Sequence, residues 1–124
     1  VFALVNDNGD AERVGGSHWV LLARDGAGAV VCFDSGGGGM ERVVRKVVKG
    51  LFGGEIEVEW KRAGRQENSF DCAAFALSTA LAIITTSSTD PSVLSPLVTQ
   101  EKVTKQRQEW ANRAREVWEE KMRS

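Results

Sequence analysis

The chain has 124 residues, 42% hydrophobic and 27% charged, the composition of a globular protein with enough apolar side chains for one core. Its 16 Lys and Arg against 17 Asp and Glu leave a net charge of -1, so no whole-molecule field draws it to nucleic acid or an anionic membrane. The longest apolar run, Cys72 to Ile84, is broken by Ser78 and Thr79 and falls short of the ~20 residues of a bilayer span, so no membrane protein is expected.

The sequence opens at Val1 without an initiator Met or leader, and Val1 to Val5 already reads as a strand, so the chain is expected to be part of something longer. Asn6 to Gly16 has the Asn, Asp and Gly of an exposed loop. His18 to Arg24 and Ala29 to Asp34 are apolar runs separated by Asp25-Gly26-Ala27-Gly28, the punctuation of an antiparallel hairpin. Gly36 to Gly39 breaks the chain. Met40 to Leu51 then carries Val43, Val44, Val47, Val48 and Leu51 at helical spacing, with Arg42, Arg45, Lys46 and Lys49 on a solvated face.

Glu55 to Lys61 alternates strictly, which predicts a strand with Ile56, Val58 and Trp60 on its buried face. After the polar loop Arg62 to Phe70, Cys72 to Ile84 is apolar all round and reads as a central buried helix, with Asn68, Ser69 and Asp71 as candidate caps. Thr85 to Pro96 reads as a connection. A last helix over about Glu101 to Lys121 carries Val103, Trp110, Ala114, Val117 and Trp118 as a packing stripe. This order predicts an α+β fold in which a mixed or antiparallel sheet packs on helices.

With one histidine and two cysteines, the chain has neither a disulfide framework nor paired CxxC zinc ligands, and a reducing cytoplasmic or nuclear setting is expected. Taken singly, His18 is a loop histidine, Asp34 a turn former and Cys72 a small buried hydrophobe. Together they supply what a cysteine protease requires: a thiol, an imidazole to take its proton, and a carboxylate to orient the imidazole. Cys72 stands where a helix N-terminus stabilises a thiolate. A hairpin carries the start of one strand beside the end of the next, so His18 and Asp34 can touch. Gln66 and the Cys72 backbone N–H are candidate oxyanion donors. Cys32, in a strand interior, is assigned to the core.

The blocks Gly15-Gly16-Ser17-His18-Trp19-Val20-Leu21-Leu22, Phe33-Asp34-Ser35 and Arg65-Gln66-Glu67-Asn68-Ser69-Phe70-Asp71-Cys72 resemble the ubiquitin-like-protein proteases, also called sentrin-specific or adenain-like cysteine proteases. The likeness is closest to the deneddylase branch, through Val1-Phe2 with Asn6-Asp7-Asn8, Leu94-Ser95-Pro96 and Val103 to Trp110. The resemblance implies a papain-like architecture whose central helix carries the nucleophile, as one catalytic domain over residues 1–124, its C-terminal portion, without the helical N-terminal segment.

It also implies cleavage after the C-terminal Gly-Gly of a ubiquitin-like modifier, in both processing and deconjugation. Cys72 is then the nucleophile, His18 the general base and later acid, Asp34 the orienting carboxylate and Gln66 the oxyanion donor. Trp19 would wall a channel that admits only glycine, and Asn6, leading into His18, belongs to the candidate modifier-binding surface. No cofactor or metal is expected, and the expected partner is a cullin-type modifier met by a monomer. The alternatives are a desumoylating protease acting on a SUMO-type modifier, and a pseudoprotease that binds without cutting, because Ala73 stands where the family has glycine and the family's helical N-terminal segment is not in this sequence. Acyl transfer to another protein would need a cofactor-binding region that the sequence does not offer.

Overall fold

The computed structural model describes residues 2–7, 18–36, 38–68 and 70–123. The Gly15-Gly16-Ser17 part of the first motif, Val1, Asn8 with the rest of the following loop, and the cap candidate Ser69 lie outside the described residues. Strands β1 (Phe2–Asn6), β2 (Trp19–Arg24) and β3 (Val30–Phe33) pair antiparallel in sequence order. Helix α1 (Glu41–Phe52) then crosses over to β4 (Val58–Lys61), which runs parallel to β3. The sheet is therefore mixed, in the order β1-β2-β3-β4. Helices α2 (Cys72–Thr86), α3 (Pro91–Leu94) and α4 (Gln100–Arg123) follow.

Alternation along β2 and β3 divides the interior into two cores. Val20, Leu22, Val30 and Cys32 point to one face, where Met40, Val44 and Val48 of α1 and its entry cover them. Leu21, Val31 and Phe33 point to the other, against Phe75, Ala76 and Ile83 of α2, with Leu94, Val98 and Val103 behind. Helices on both faces explain why β2 and β3 read as nearly continuous apolar runs. The β2–β3 turn closes as its composition predicts: the Asp25 carboxylate accepts from the N–H groups of Ala27 and Ala29, and Gly28 takes φ 89°, a backbone angle that disfavours a side chain.

Several expectations are corrected. The alternating segment pairs only from Val58. Ile56 and Val58 are partly buried but Trp60 is 40% exposed, because β4 is a sheet edge that α1 only partly covers. Leu51, placed in the α1 stripe, is exposed. Part of the segment read as a connection forms α3, where Asp90 caps the turn through Ser92 N–H and Pro91 occupies the first position. Helix α2 buries its sheet-facing side and leaves Leu77, Leu81 and Ile84 exposed.

On α4 only the first part of the apolar stripe packs: Val103 is buried and Trp110 partly so, while Ala114, Val117 and Trp118 are exposed. The reason is length. At ~1.5 Å per residue, the 24 residues of α4 outrun the 15 of α2, the helix it packs on.

Candidate active site

Three element ends converge. The register Leu21↔Phe33, continued outward, sets His18 against Gly36, so Asp34 lies diagonal to His18 across the antiparallel pair. The two side chains close that gap: His18 Nε2 is 2.7 Å from Asp34 Oδ1. The same oxygen accepts from the Gly36 backbone N–H at 3.0 Å, which fixes the carboxylate in an Asx turn. Arg62 Nε donates to the Asp34 carbonyl, tying the end of β3 to the end of β4. Both His18 and Asp34 are largely shielded from solvent, so their attraction is little screened.

The backbone of His18 is held as well. Its carbonyl accepts from Asp7 N–H at 3.0 Å and from Asn6 Nδ2 at 3.2 Å. Asn6, expected on the modifier-binding surface, is half-buried with its amide turned to this carbonyl.

Cys72 is the first residue of α2 and 4% exposed. The preceding Asp71 occupies the N-cap position, yet its side chain makes no capping hydrogen bond; it turns away from the helix into a polar cluster. The cap expectation for Asn68 is corrected too, since its Oδ1 accepts from the N–H groups of Phe70 and Asp71, outside the helix. The first-turn N–H groups of α2 therefore point their positive end toward Cys72 without a carboxylate cap among the described side chains. A narrow crevice with a free volume of only about 10 Å3 joins this point to the sheet, lined by Trp19, Asp34, Ser35, Gly64, Cys72 and Phe75 among others. Trp19 reaches it because it shares Leu21's side of β2, the α2 side, and at 36% exposed it stands at the crevice's rim rather than in a core.

Gln66 lies in the loop between β4 and α2. Its backbone N–H donates to Ser35 O at 2.8 Å, and its Oε1 accepts from Ser35 Oγ at 2.9 Å. Holding the amide oxygen this way leaves Nε2 as the end directed elsewhere. Ser35, part of the sequence motif but given no role there, thus orients the amide. Nearby, Gly64 approaches the connection between α3 and α4 so closely that a Cβ would overlap Val98 O and sit 3.0 Å from Phe75 Cε1 of α2.

The second cysteine is placed differently. Cys32 is fully buried on the α1 side of β3, and burial first, then the charges of Asp34 and Glu41, push its thiol up to about 12. A thiol so held stays protonated and unreactive near neutrality.

The structure thus brings His18, Asp34, Cys72 and Trp19 to one locus, with Gln66 bonded to its Ser35 wall. What the sequence reading missed is the polar cluster behind Cys72, where Gln100 and Arg107 of α4 reach Asp71. Nothing local to α4 signals this, because both read as surface polar residues of a charged helix.

The family model described as Ulp1 protease family, C-terminal catalytic domain, matches residues 1–122. A comparison with curated proteins gives no match.

Proposed function

The chain belongs to the Ulp1 protease family by the match over residues 1–122, and from this premise we propose that it is a deneddylase that both processes and deconjugates a cullin-type modifier. Family membership makes it a cysteine peptidase of ubiquitin-like modifiers and their conjugates. The finer reading rests on Leu94-Ser95-Pro96 and Val103 to Trp110, which resemble the deneddylase branch. The observation that carries the chemistry is the 2.7 Å contact of His18 Nε2 with Asp34 Oδ1 beside a crevice lined by Asp34, Trp19 and Cys72.

In this reading, Asp34 holds Nε2, so Nδ1 of His18 takes the Cys72 proton. The thiolate attacks the carbonyl carbon of the modifier's terminal glycine. Gln66 Nε2 and the Cys72 backbone N–H donate to the oxyanion. As the intermediate collapses, the C–N bond breaks and the leaving amine takes the proton from His18, leaving a thioester on Cys72. Water, giving a proton to the same imidazole, hydrolyses the thioester to a free carboxylate and restores the thiol. The Trp19 indole at the crevice rim selects glycine by excluding side chains. The chain acts as one catalytic domain and a monomer, in the cytoplasm or nucleus.

The test is mass spectrometry with cullin-type and SUMO-type modifiers that carry a C-terminal electrophile. The expected result is an adduct on Cys72 with the cullin-type probe and none with Cys72→Ala. Preference for the SUMO-type probe overturns deneddylation, and an adduct on Cys32 overturns the site. Binding without an adduct favours a pseudoprotease, a reading that the 4% exposure of Cys72 and the Ala73 methyl beside it would support.

A further inference from the structure

The carboxylate immediately before Cys72 is completely buried, and two of its three partners come from α4. Asp71 Oδ2 accepts from Asn68 Nδ2 at 2.8 Å and from Gln100 Nε2 at 2.9 Å. Arg107 Nε lies 2.8 Å from Oδ1, within ion-pair distance but out of line for a directional hydrogen bond; among the described residues no aligned donor reaches that oxygen. The Arg107 guanidinium also lies over the Phe70 ring, 5.4 Å from its centre.

Gln100 does more than meet Asp71. Its Oε1 accepts from the Glu67 backbone N–H at 2.8 Å, and its Nε2 also donates to Thr104 Oγ1 at 3.1 Å, one turn along α4. One side chain at the start of α4 therefore holds the loop just after Gln66 and just before Cys72. A buried carboxylate is stable only while its partners stay in place. The position of the Cys72 helix end is thus set by where α4 lies.

We propose that Gln100 and Arg107 are positioning residues for the reaction, acting through Asp71 and the Glu67 backbone to hold Cys72 and Gln66 in mutual register. The proposal rests on the protease reading of Cys72 and Gln66. Gln100 spans the two ends of the loop, and Arg107 supplies the charge that keeps Asp71 in place. Displacing either end of that loop moves the nucleophile relative to an oxyanion donor, and a shift of about 1 Å at a reacting centre is enough to cost on the order of a hundredfold.

The test is a double-mutant cycle between Gln100→Glu and Asp71→Asn in the full chain. Gln100→Glu keeps the acceptor for Glu67 N–H but sets a carboxylate oxygen against Asp71 Oδ2. Adding Asp71→Asn restores a donor between the two side chains. The expected result is that Gln100→Glu lowers kcat tenfold or more with KM within about twofold, and that the double variant recovers only part of the loss, because an amide at position 71 relieves the repulsion from position 100 but gives up the ion pair with Arg107.

Arg107→Met should lower kcat similarly, with Arg107→Lys recovering part of it. Thermal melting checks that each variant is folded. Where Gln100→Glu does not fold, Gln100→Ala, which only removes the bonds, should show the same loss of kcat. Unchanged kcat in Gln100→Glu, no recovery in the double variant, or a loss carried by KM overturns the proposal. If the unaltered chain forms no adduct on Cys72, the protease reading fails first and separately.

Discussion

His18 Nε2 lies 2.7 Å from Asp34 Oδ1, although the residues are 16 apart in sequence and neither lies within a strand. The hairpin between them brings the start of β2 beside the end of β3, and the Gly36 N–H holds the carboxylate from its other side. A pair so held fixes the ring's orientation, and in the proposed mechanism Nδ1 is the nitrogen that takes the proton.

His18→Ala should therefore abolish turnover by on the order of 100-fold or more, since the sequence has a single histidine and no second imidazole to replace it. Asp34→Asn should lose a comparable factor while the chain still melts cooperatively, because the amide cannot stabilise the imidazolium. Steady-state cleavage of a modifier fusion measures both.

The two cysteines should differ sharply in reactivity. Alkylation of the folded chain at about pH 8 should label Cys72 and spare Cys32, with both labelled in denaturant. The Cys32 thiol is raised from 9.0 to about 12 by burial, and then by Asp34 and Glu41, so above its ordinary value the folded chain keeps a proton that the unfolded chain loses. The stability held by that proton is complete below about pH 9 and is lost as the pH rises toward 12. Urea midpoints should fall with pH across that window more steeply in the unaltered chain than in Cys32→Val.

Gly64→Ala should destabilise the fold by about 3 kcal/mol, measured by urea unfolding, because the new methyl meets backbone at Val98 O that cannot swing aside. Activity should fall as well, since the same loop carries Gln66 to its Ser35 contact.

Ala73→Gly should act in opposite directions on stability and activity. A glycine in the first turn of α2 costs up to about 1 kcal/mol, read as a lower melting temperature. Removing a methyl next to Cys72 should raise kcat/KM severalfold with the modifier fusion.

The sequence by itself determined the four strands, the helices α1, α2 and α4 and the apolar runs of the central strands, and it marked His18, Asp34, Gln66 and Cys72 as candidates. These follow from local pattern: side-chain alternation, turn residues, and chemically distinctive groups at element ends. Trp60, Val117 and Trp118 read as packing residues yet are exposed, because periodicity marks an apolar face but not whether anything covers it; β4 is a sheet edge and α4 runs beyond α2. Only the tertiary structure decided that Asp71 turns from its helix, that Asn6 holds the His18 carbonyl, that Ser35 orients Gln66, and that Gln100 spans the loop before Cys72. Each of these depends on a hydrogen bond between a side chain and a partner chosen by the packing of whole elements, and a polar residue in sequence carries no mark of which distant group will meet it.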